Sequence, residues 1–476
     1  MSVEQPGRYV GGEFGEVQVS GNAPLRVALC FPDLYEIGMS NNAIRILYAL
    51  LNEVPSVECE RVFAPAPDFE TVLRDNGIPL YGLETGTPLS SFDLIAFSVG
   101  YELSATNILT VLDRGGVPLR REDRRPGDPV VIAGGPAVTN PLPLSSFIDA
   151  FFIGEAEGTL PELLEAMGEK KRFGATRDEV IELLGNHRSV FAPAHGGDPD
   201  ARPHVSRAIW SDFGKRSLLH APPIVPNIRV VQDHGVVEIM RGCPNGCRFC
   251  HAGIYYRPYR MKDPSIIENE VSTLVTRAGY RHVTLSSLSS ADYTEVGGLI
   301  QALNASFRDH RVSFALPSLR VNSVNLELLE QVSSVRKSGL TFAVETPLDA
   351  DQIGLNKTVN RESLIALLRE AKARGWRAAK FYFMSGLPGV DWDTQADRII
   401  EYMSAIKSSV KMNINVNAAT FVPKPHTAYQ WAPQLPEERA VETLSILKRS
   451  LKRIGIKFSY ASPFHSILEG VISRGD

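Results

Sequence analysis

The chain has 476 residues, 43% of them hydrophobic and 22% charged, with a formal net charge of −4. That length accommodates two or three domains, and the composition is an ordinary globular balance. No apolar run approaches the roughly 20 residues of a membrane helix, residues 1–16 lack the apolar core of a signal peptide, and the charge provides no global field for nucleic acid, so the expectation is a cytoplasmic protein without a membrane partner.

The first 168 residues alternate short apolar runs with helical patterns. Strands are expected at 26–31, 60–64, 93–98, 129–133 and 149–153, with helices at 41–52, 69–75, 102–114 and 159–167. The runs are too continuously apolar for a sheet with one wet face, as in strands buried on both sides. A βαβ alternation of five strands predicts a doubly wound, flavodoxin-like parallel sheet. Residues 169–230 read as a helix, an irregular β excursion and a linker, with Pro, Gly, His and Asp gathered at 194–203. From 231 to 476 the alternation returns. Strands are expected at 236–240, 282–286, 312–316, 341–344, 379–384 and 413–420, and helices at 265–277, 293–307, 326–335, 361–374, 394–407 and 437–453. Six βα repeats are fewer than the eight of a closed barrel and predict a partial (βα)6 barrel of the TIM type. Residues 471–476 carry no tail composition, which leaves room for a further C-terminal segment. Two stretches are locally basic: Arg114, Arg120, Arg121, Arg124 and Arg125, and Lys448, Arg449, Lys452, Arg453 and Lys457. Each reads first as a solvated face and second as an RNA footprint.

Three of the five cysteines, Cys243, Cys247 and Cys250, fall in a Gly-containing loop directly after the first barrel strand. Clustered cysteines in an unsecreted chain point to metal rather than to a disulfide framework. A loop can wrap three sulfurs around one face of a cube, and thiolates suit iron–sulfur ligation. With no fourth cysteine nearby, one iron keeps an open position. Zinc is the competing reading, but a structural zinc site wants four protein ligands, and His251 adjoins Cys250 too closely to complete a tetrahedron easily. Cys30 lies in a buried strand and reads as core, and Cys59 reads as a partly exposed thiol.

The CxxxCxxC spacing, with Phe249 before the last cysteine, resembles the signature of the radical S-adenosylmethionine (SAM) superfamily. That resemblance implies a [4Fe–4S] cluster on Cys243, Cys247 and Cys250, SAM on the unique iron, and reductive cleavage to a 5′-deoxyadenosyl radical. It also implies a one-electron donor of flavodoxin or ferredoxin type. Family positions for SAM fall on Ser287, Ser289 and Asp292 after the second strand, where a Gly-Gly-Glu-like stretch is replaced. They continue with Ser318 and Arg320 after the third strand, Glu345 ending the fourth, and Gly386 opening the Gly-Leu-Pro-Gly turn after the fifth. All lie at carboxyl ends of barrel strands, where such sites assemble. His251, Tyr255, Tyr256 and Arg257 follow the cluster motif, and Phe421, Lys424 and His426 end the sixth strand as substrate-side candidates.

Asp33-Leu-Tyr35-Glu-Ile-Gly38 follows the first strand where cobalamin-binding domains of this fold carry DxHxxG, with Tyr35 in place of the His. Ser98, Gly134 and Gly135 end later strands, where small residues let a nucleotide tail lie near backbone. Nearly the whole chain resembles an uncharacterised radical SAM family with a cobalamin-binding-like N-terminal domain, through stretches such as residues 8–13, 31–40 and 421–426. The resemblance implies methyl transfer if cobalamin binds, on a substrate that is not named and that RNA or protein would fit. Without cobalamin it implies a rearrangement, oxidation or sulfur insertion. A non-catalytic cluster-based redox sensor is the reading from another class.

Overall fold

The computed structural model describes residues 3–193, 204–217, 219, 222–317 and 340–476. The chain divides into two compact units, one of Met1–Asp233 with Ser272–Gly279 and Asp476, the other of His234–Val271 and Tyr280–Gly475. The predicted helix at 326–335 and the loop at 194–203 lie outside the described residues, as do Ser318 and Arg320.

The first unit is built on a six-stranded sheet of order β2-β1-β3-β4-β5-β6. Its strands are β1 (Leu25–Phe31), β2 (Val57–Phe63), β3 (Leu94–Ser98), β4 (Val130–Gly134), β5 (Ala150–Phe152) and β6 (Val190–Phe191). The first five pair in parallel, in the flavodoxin-like order, and β6 adds an antiparallel edge. Helices Asn42–Asn52, Pro67–Asp75, Ala105–Arg114 and Leu160–Arg172 follow β1, β2, β3 and β5; the first and last of them bring Tyr48, Leu51 and Leu164 into one core with Val27 and Leu29 of β1. The Asn41 side chain accepts from the Ala43 amide and starts the first of these helices.

Strand β2 begins three residues before its expected start at 60. Glu58, Glu60 and Arg61 hide the strand from a hydrophobic pattern, yet Glu60 and Arg61 are buried. Burial of charge requires partners. Arg26 Nη2 reaches Glu60 Oε1 at 3.0 Å. Arg61 is enclosed by Glu13 (2.8 Å), Glu84 (2.7 Å) and Glu16 (3.3 Å), with its guanidinium over the Tyr48 ring. Cys59, expected to be partly exposed, is fully buried, because the strand's inward face continues through it.

Among its described residues the second unit holds two parallel sheets, of order β11-β10-β7 and β12-β13-β14-β15. The strands are β7 (Gly235–Glu238), β10 (His282–Ser286), β11 (Ser313–Ala315), β12 (Leu340–Glu345), β13 (Ala378–Ser385), β14 (Asn413–Thr420) and β15 (Lys457–Tyr460), with a separate antiparallel ladder of β8 (Met240–Arg241) and β9 (Arg260–Met261). Helices Pro264–Thr276, Val296–Ser306, Arg361–Ala373, Gln395–Ser409 and Glu437–Arg453 connect successive strands. The alternating burial of β13 and β14 puts Ala379, Phe381, Phe383, Ile414, Val416 and Ala418 in one core with Leu364, Ile399, Leu444 and Leu447. The six expected barrel strands are present. A seventh, β15, pairs parallel to β14, and helix Pro463–Arg474 follows it. Lys457, read with the basic stretch, opens that strand; only four residues long and largely exposed, it carries little periodic signal.

Candidate active site

The three cysteines sit on a loop whose base is closed by the β8–β9 ladder, Met240 opposite Met261 and Arg241 opposite Arg260. Arg241 is buried and held by both carboxylate oxygens of Glu238, at 3.1 and 2.8 Å. Gly242 turns the chain out of the ladder at φ +81°, and a Cβ there would lie 2.7 Å from the carbonyl oxygens of Tyr256 and Pro258. Only glycine fits such a position. Cys243, Cys247 and Cys250 form no disulfide and are half-buried. Cys250 opens the short helix His251–Tyr255: its Sγ accepts from the Gly253 amide at 3.3 Å, while its own amide donates to Cys247 O at 3.1 Å. Burial pushes the Cys250 thiol pKa up, and the neighbouring Cys243 pushes the same way.

The end of β10 flanks one side of the loop. Asn245 Nδ2 donates to Asp292 Oδ2 at 2.7 Å and approaches Ser289 Oγ at 3.3 Å and Cys243 Sγ at 3.4 Å. Ser287 and Ser290 share a 2.8 Å hydrogen bond, and the Tyr259 hydroxyl donates to Asp292 O at 2.6 Å. Ser289 and Asp292 therefore lie beside Cys243, whereas the Ser287 hydroxyl faces Ser290.

The end of β12 flanks the other side. Glu345 is buried, adopts φ +68°, and accepts from Lys357 Nζ at 2.5 Å. Lys357 also lies 5.8 Å from the Phe249 ring centroid. Phe249 packs with Leu355, Leu387 and Phe421, which joins the motif's aromatic residue to the ends of β13 and β14. Gly386 turns at φ +82°, its amide donates to Gln395 Oε1 at 3.1 Å, and a Cβ there would meet Leu435 at 2.7 Å. Near the end of β14, Lys424 pairs with Glu469 at 2.7 Å. Burial, with Lys424 and His426 nearby, lowers the His251 pKa to about 4, so its imidazole is neutral. Tyr255 is buried against Tyr256, and Arg257 bonds to Gly253 O. Asn245, Tyr259, Asn356 and Lys357 are site residues that the sequence reading missed; the Asn-Gly pair inside the motif was the one available signal, as a turn former.

In the first unit, Asp33, Ser98, Gly134 and Gly135 lie at carboxyl ends of β1, β3 and β4, and β1–β3 is the point where strand order reverses. Ser98 pairs with Gly134, and Gly135 turns at φ +111°, where a Cβ would meet Val99 O at 2.4 Å, so only glycine fits. Tyr35 is 1% exposed and its hydroxyl donates to Glu13 Oε1 at 2.7 Å. Gly38 admits the Phe63 ring, 2.2 Å from where a Cβ would stand. Tyr35 and Gly38 thus pack inward, and the other four line the strand ends.

Residues 43–193 match the family model for radical SAM proteins, N-terminal, and residues 237–401 match that for the radical SAM superfamily. The chain belongs to the radical SAM superfamily. An uncharacterised protein of Methanocaldococcus jannaschii is 25% identical over 459 residues, 94% of this chain and 88% of that one. Among solved structures, the radical SAM methyltransferase TsrM of Kitasatospora setae, with cobalamin and a [4Fe–4S] cluster bound, superposes with a TM-score of 0.58 at 13% identity, over 85% of this chain and 76% of that one. The cobalamin-dependent radical SAM enzyme OxsB gives 0.50 at 14%, over 81% and 55%. The α/β architecture is that of these radical SAM enzymes, and the radical SAM domain implies a [4Fe–4S] cluster and SAM. No helix among the described residues is long and apolar enough to cross a membrane.

The residues present fit those groups. Three thiols on one glycine-turned loop match a cluster that takes three protein sulfurs. The small residues at the carboxyl ends of β3 and β4, next to the β1–β3 switch point, fit a cobalamin tail, and the buried, hydrogen-bonded Tyr35 offers the cobalt no ligand.

Proposed function

We propose that this radical SAM enzyme transfers a methyl group to an unreactive centre of its substrate, with cobalamin held in the first unit. The observation that carries the reading is the cysteine loop at the carboxyl end of β7, anchored through Asn245 to Ser289 and Asp292 at the end of β10. Cys243, Cys247 and Cys250 would hold a [4Fe–4S] cluster with SAM on its open iron, an assembly that supplies a carbon-centred radical when an external one-electron donor of flavodoxin or ferredoxin type reduces it.

The chain's own residues position and protect. Ser289 and Asp292 offer acceptors for an ammonium group beside Cys243. Glu345, fixed by Lys357, presents a second carboxylate at the end of β12. Gly386 brings bare backbone to the end of β13, as an adenine ring laid against the chain requires. Ser287, Ser318 and Arg320 complete the proposed SAM set. Phe249, Leu387 and Phe421 exclude water from one wall, which a radical reaction needs to avoid quenching. Asp33, Ser98, Gly134 and Gly135 are proposed for the cobalamin tail. Methyl transfer is supported by the TsrM likeness; a cobalamin-free reaction is the second reading, favoured by the closed position of Tyr35.

Anaerobic purification with cobalamin supplied, followed by dithionite reduction with SAM, tests both. Release of 5′-deoxyadenosine with a retained corrinoid spectrum is the expected result. A cluster with no corrinoid, even at excess, removes methyl transfer; no SAM cleavage at all leaves a redox sensor.

A further inference from the structure

The short segment after β12 grips the cysteine loop at several points. Arg248 donates its amide to Leu355 O at 3.0 Å and its guanidinium to Gly354 O, which also accepts from the Tyr429 hydroxyl at 2.8 Å. Asn356 Nδ2 donates to two successive carbonyls of the loop, Asn245 O at 3.0 Å and Gly246 O at 3.1 Å. The segment is itself rigid. Gln352 is buried, its amide donates to Thr346 O at 2.8 Å, and its carbonyl accepts from the Val359 amide at 2.7 Å. Asn356 stands at φ +56°, a left-handed position that Asn tolerates better than other side chains.

Peptide planarity gives those two bonds a consequence. In a trans peptide the C=O and the following N–H point in opposite directions. With the Asn245 and Gly246 carbonyls turned toward Asn356, the amides of Gly246 and Cys247 turn away from it. Such amides are the donors that stabilise the extra electron of a reduced iron–sulfur cluster, and hydrogen bonds to sulfur are among the terms that set its potential. We infer that Asn356 is a positioning residue: by holding two loop carbonyls outward it aims the Gly246 and Cys247 amides at the cluster and makes it easier to reduce. The inference rests on the proposed cluster site.

The test is potentiometric titration of the reconstituted cluster, read by electron paramagnetic resonance, without substrate or turnover. Asn356→Gly keeps the left-handed backbone accessible and removes only the two donors. Asn356→Asp keeps the size, cannot donate when ionised, and serves if the glycine variant fails to fold. Asn360→Ala, which removes the cap accepting from Ser363 N at 2.8 Å, controls for general loosening. The expected result is a reduced-to-oxidised ratio about tenfold lower at a fixed applied potential in Asn356→Gly, which is about 59 mV for one electron, at least as large a loss in Asn356→Asp, and no change in Asn360→Ala. Loss of iron from a folded Asn356→Gly, with Asn360→Ala retaining it, also supports the positioning role. Equal potentials in wild type and both Asn356 variants overturn it. A wild-type protein that assembles no [4Fe–4S] cluster overturns the functional reading instead.

Discussion

Replacing Glu16 by Gln tests the ion cluster that fastens the N-terminal segment to β2. Arg61 is shared by three carboxylates, Glu13, Glu16 and Glu84, and one guanidinium cannot neutralise three anions. Burial pushes Glu16 up to about 7, with Glu13 and Glu84 acting in the same direction. Burial would raise Glu13 as well, but the hydrogen bonds and charge of Arg61 outweigh it and bring Glu13 down to about 2. Glu84 is also raised, by burial. A carboxyl with a raised folded-state pKa is fully stabilising below its unfolded value near 4.5 and loses that contribution as pH climbs through about 7. Glu13 behaves oppositely: its contribution is present above 4.5 and disappears as pH falls through about 2. At ~1.4 kcal/mol per tenfold in proton affinity, the Glu16 rise is worth at most about 3 kcal/mol, and solvent at its edge screens this to about 1–2 kcal/mol. Glutamine mimics the protonated acid. Glu16→Gln should therefore differ little from wild type at pH 5.0 and be more stable by about 1–2 kcal/mol at pH 8.0, raising the first unit's Tm by roughly 2–8 °C. Thermal unfolding at both pH values, followed by circular dichroism, measures it. Parallel pH profiles for wild type and Glu16→Gln would refute a proton held at Glu16.

Alanine at Cys243, Cys247 and Cys250 together should abolish bound iron and acid-labile sulfide, and with them 5′-deoxyadenosine release, while leaving the far-ultraviolet circular dichroism unchanged. Gly135→Ala forces a Cβ 2.4 Å from Val99 O at φ +111° and should cost about 1–3 kcal/mol in denaturant titration. Tyr35→Phe removes the 2.7 Å bond to Glu13 and should cost about 1–2 kcal/mol, yet leave corrinoid retention as in wild type; a fall in retention would mean that Tyr35 touches the cofactor.

Strand β14 shows what the sequence reveals well. The expected bounds, 413–420, are the observed ones, and buried residues alternate with exposed and then half-buried ones along that whole length, the signature that a period-2 pattern detects. The cysteine spacing was legible for a similar reason: its chemistry is local. Strand β2 was less so, because its burial of Glu60 and Arg61 depends on Arg26, Glu13 and Glu84, partners distant in sequence. The same holds at the site. Asn356 and Lys357 reach the cysteine loop from over a hundred residues away, and neither residue type announces such a role. Tyr35 was visible as the occupant of a motif position, but that its hydroxyl would be taken by Glu13 follows only from the way the N-terminal segment folds back.

The packing of Phe249 against Leu355, Leu387 and Phe421 bears on how the protein is assembled in the cell. The cysteine-bearing bend is nailed to the barrel by an oily plug and by hydrogen bonds that owe nothing to iron. The polypeptide therefore offers its three sulfurs as a ready-made socket. If those sulfurs hold the proposed cluster, the bend should keep its place when iron is stripped, and iron and sulfide added back should restore the centre without a refolding step.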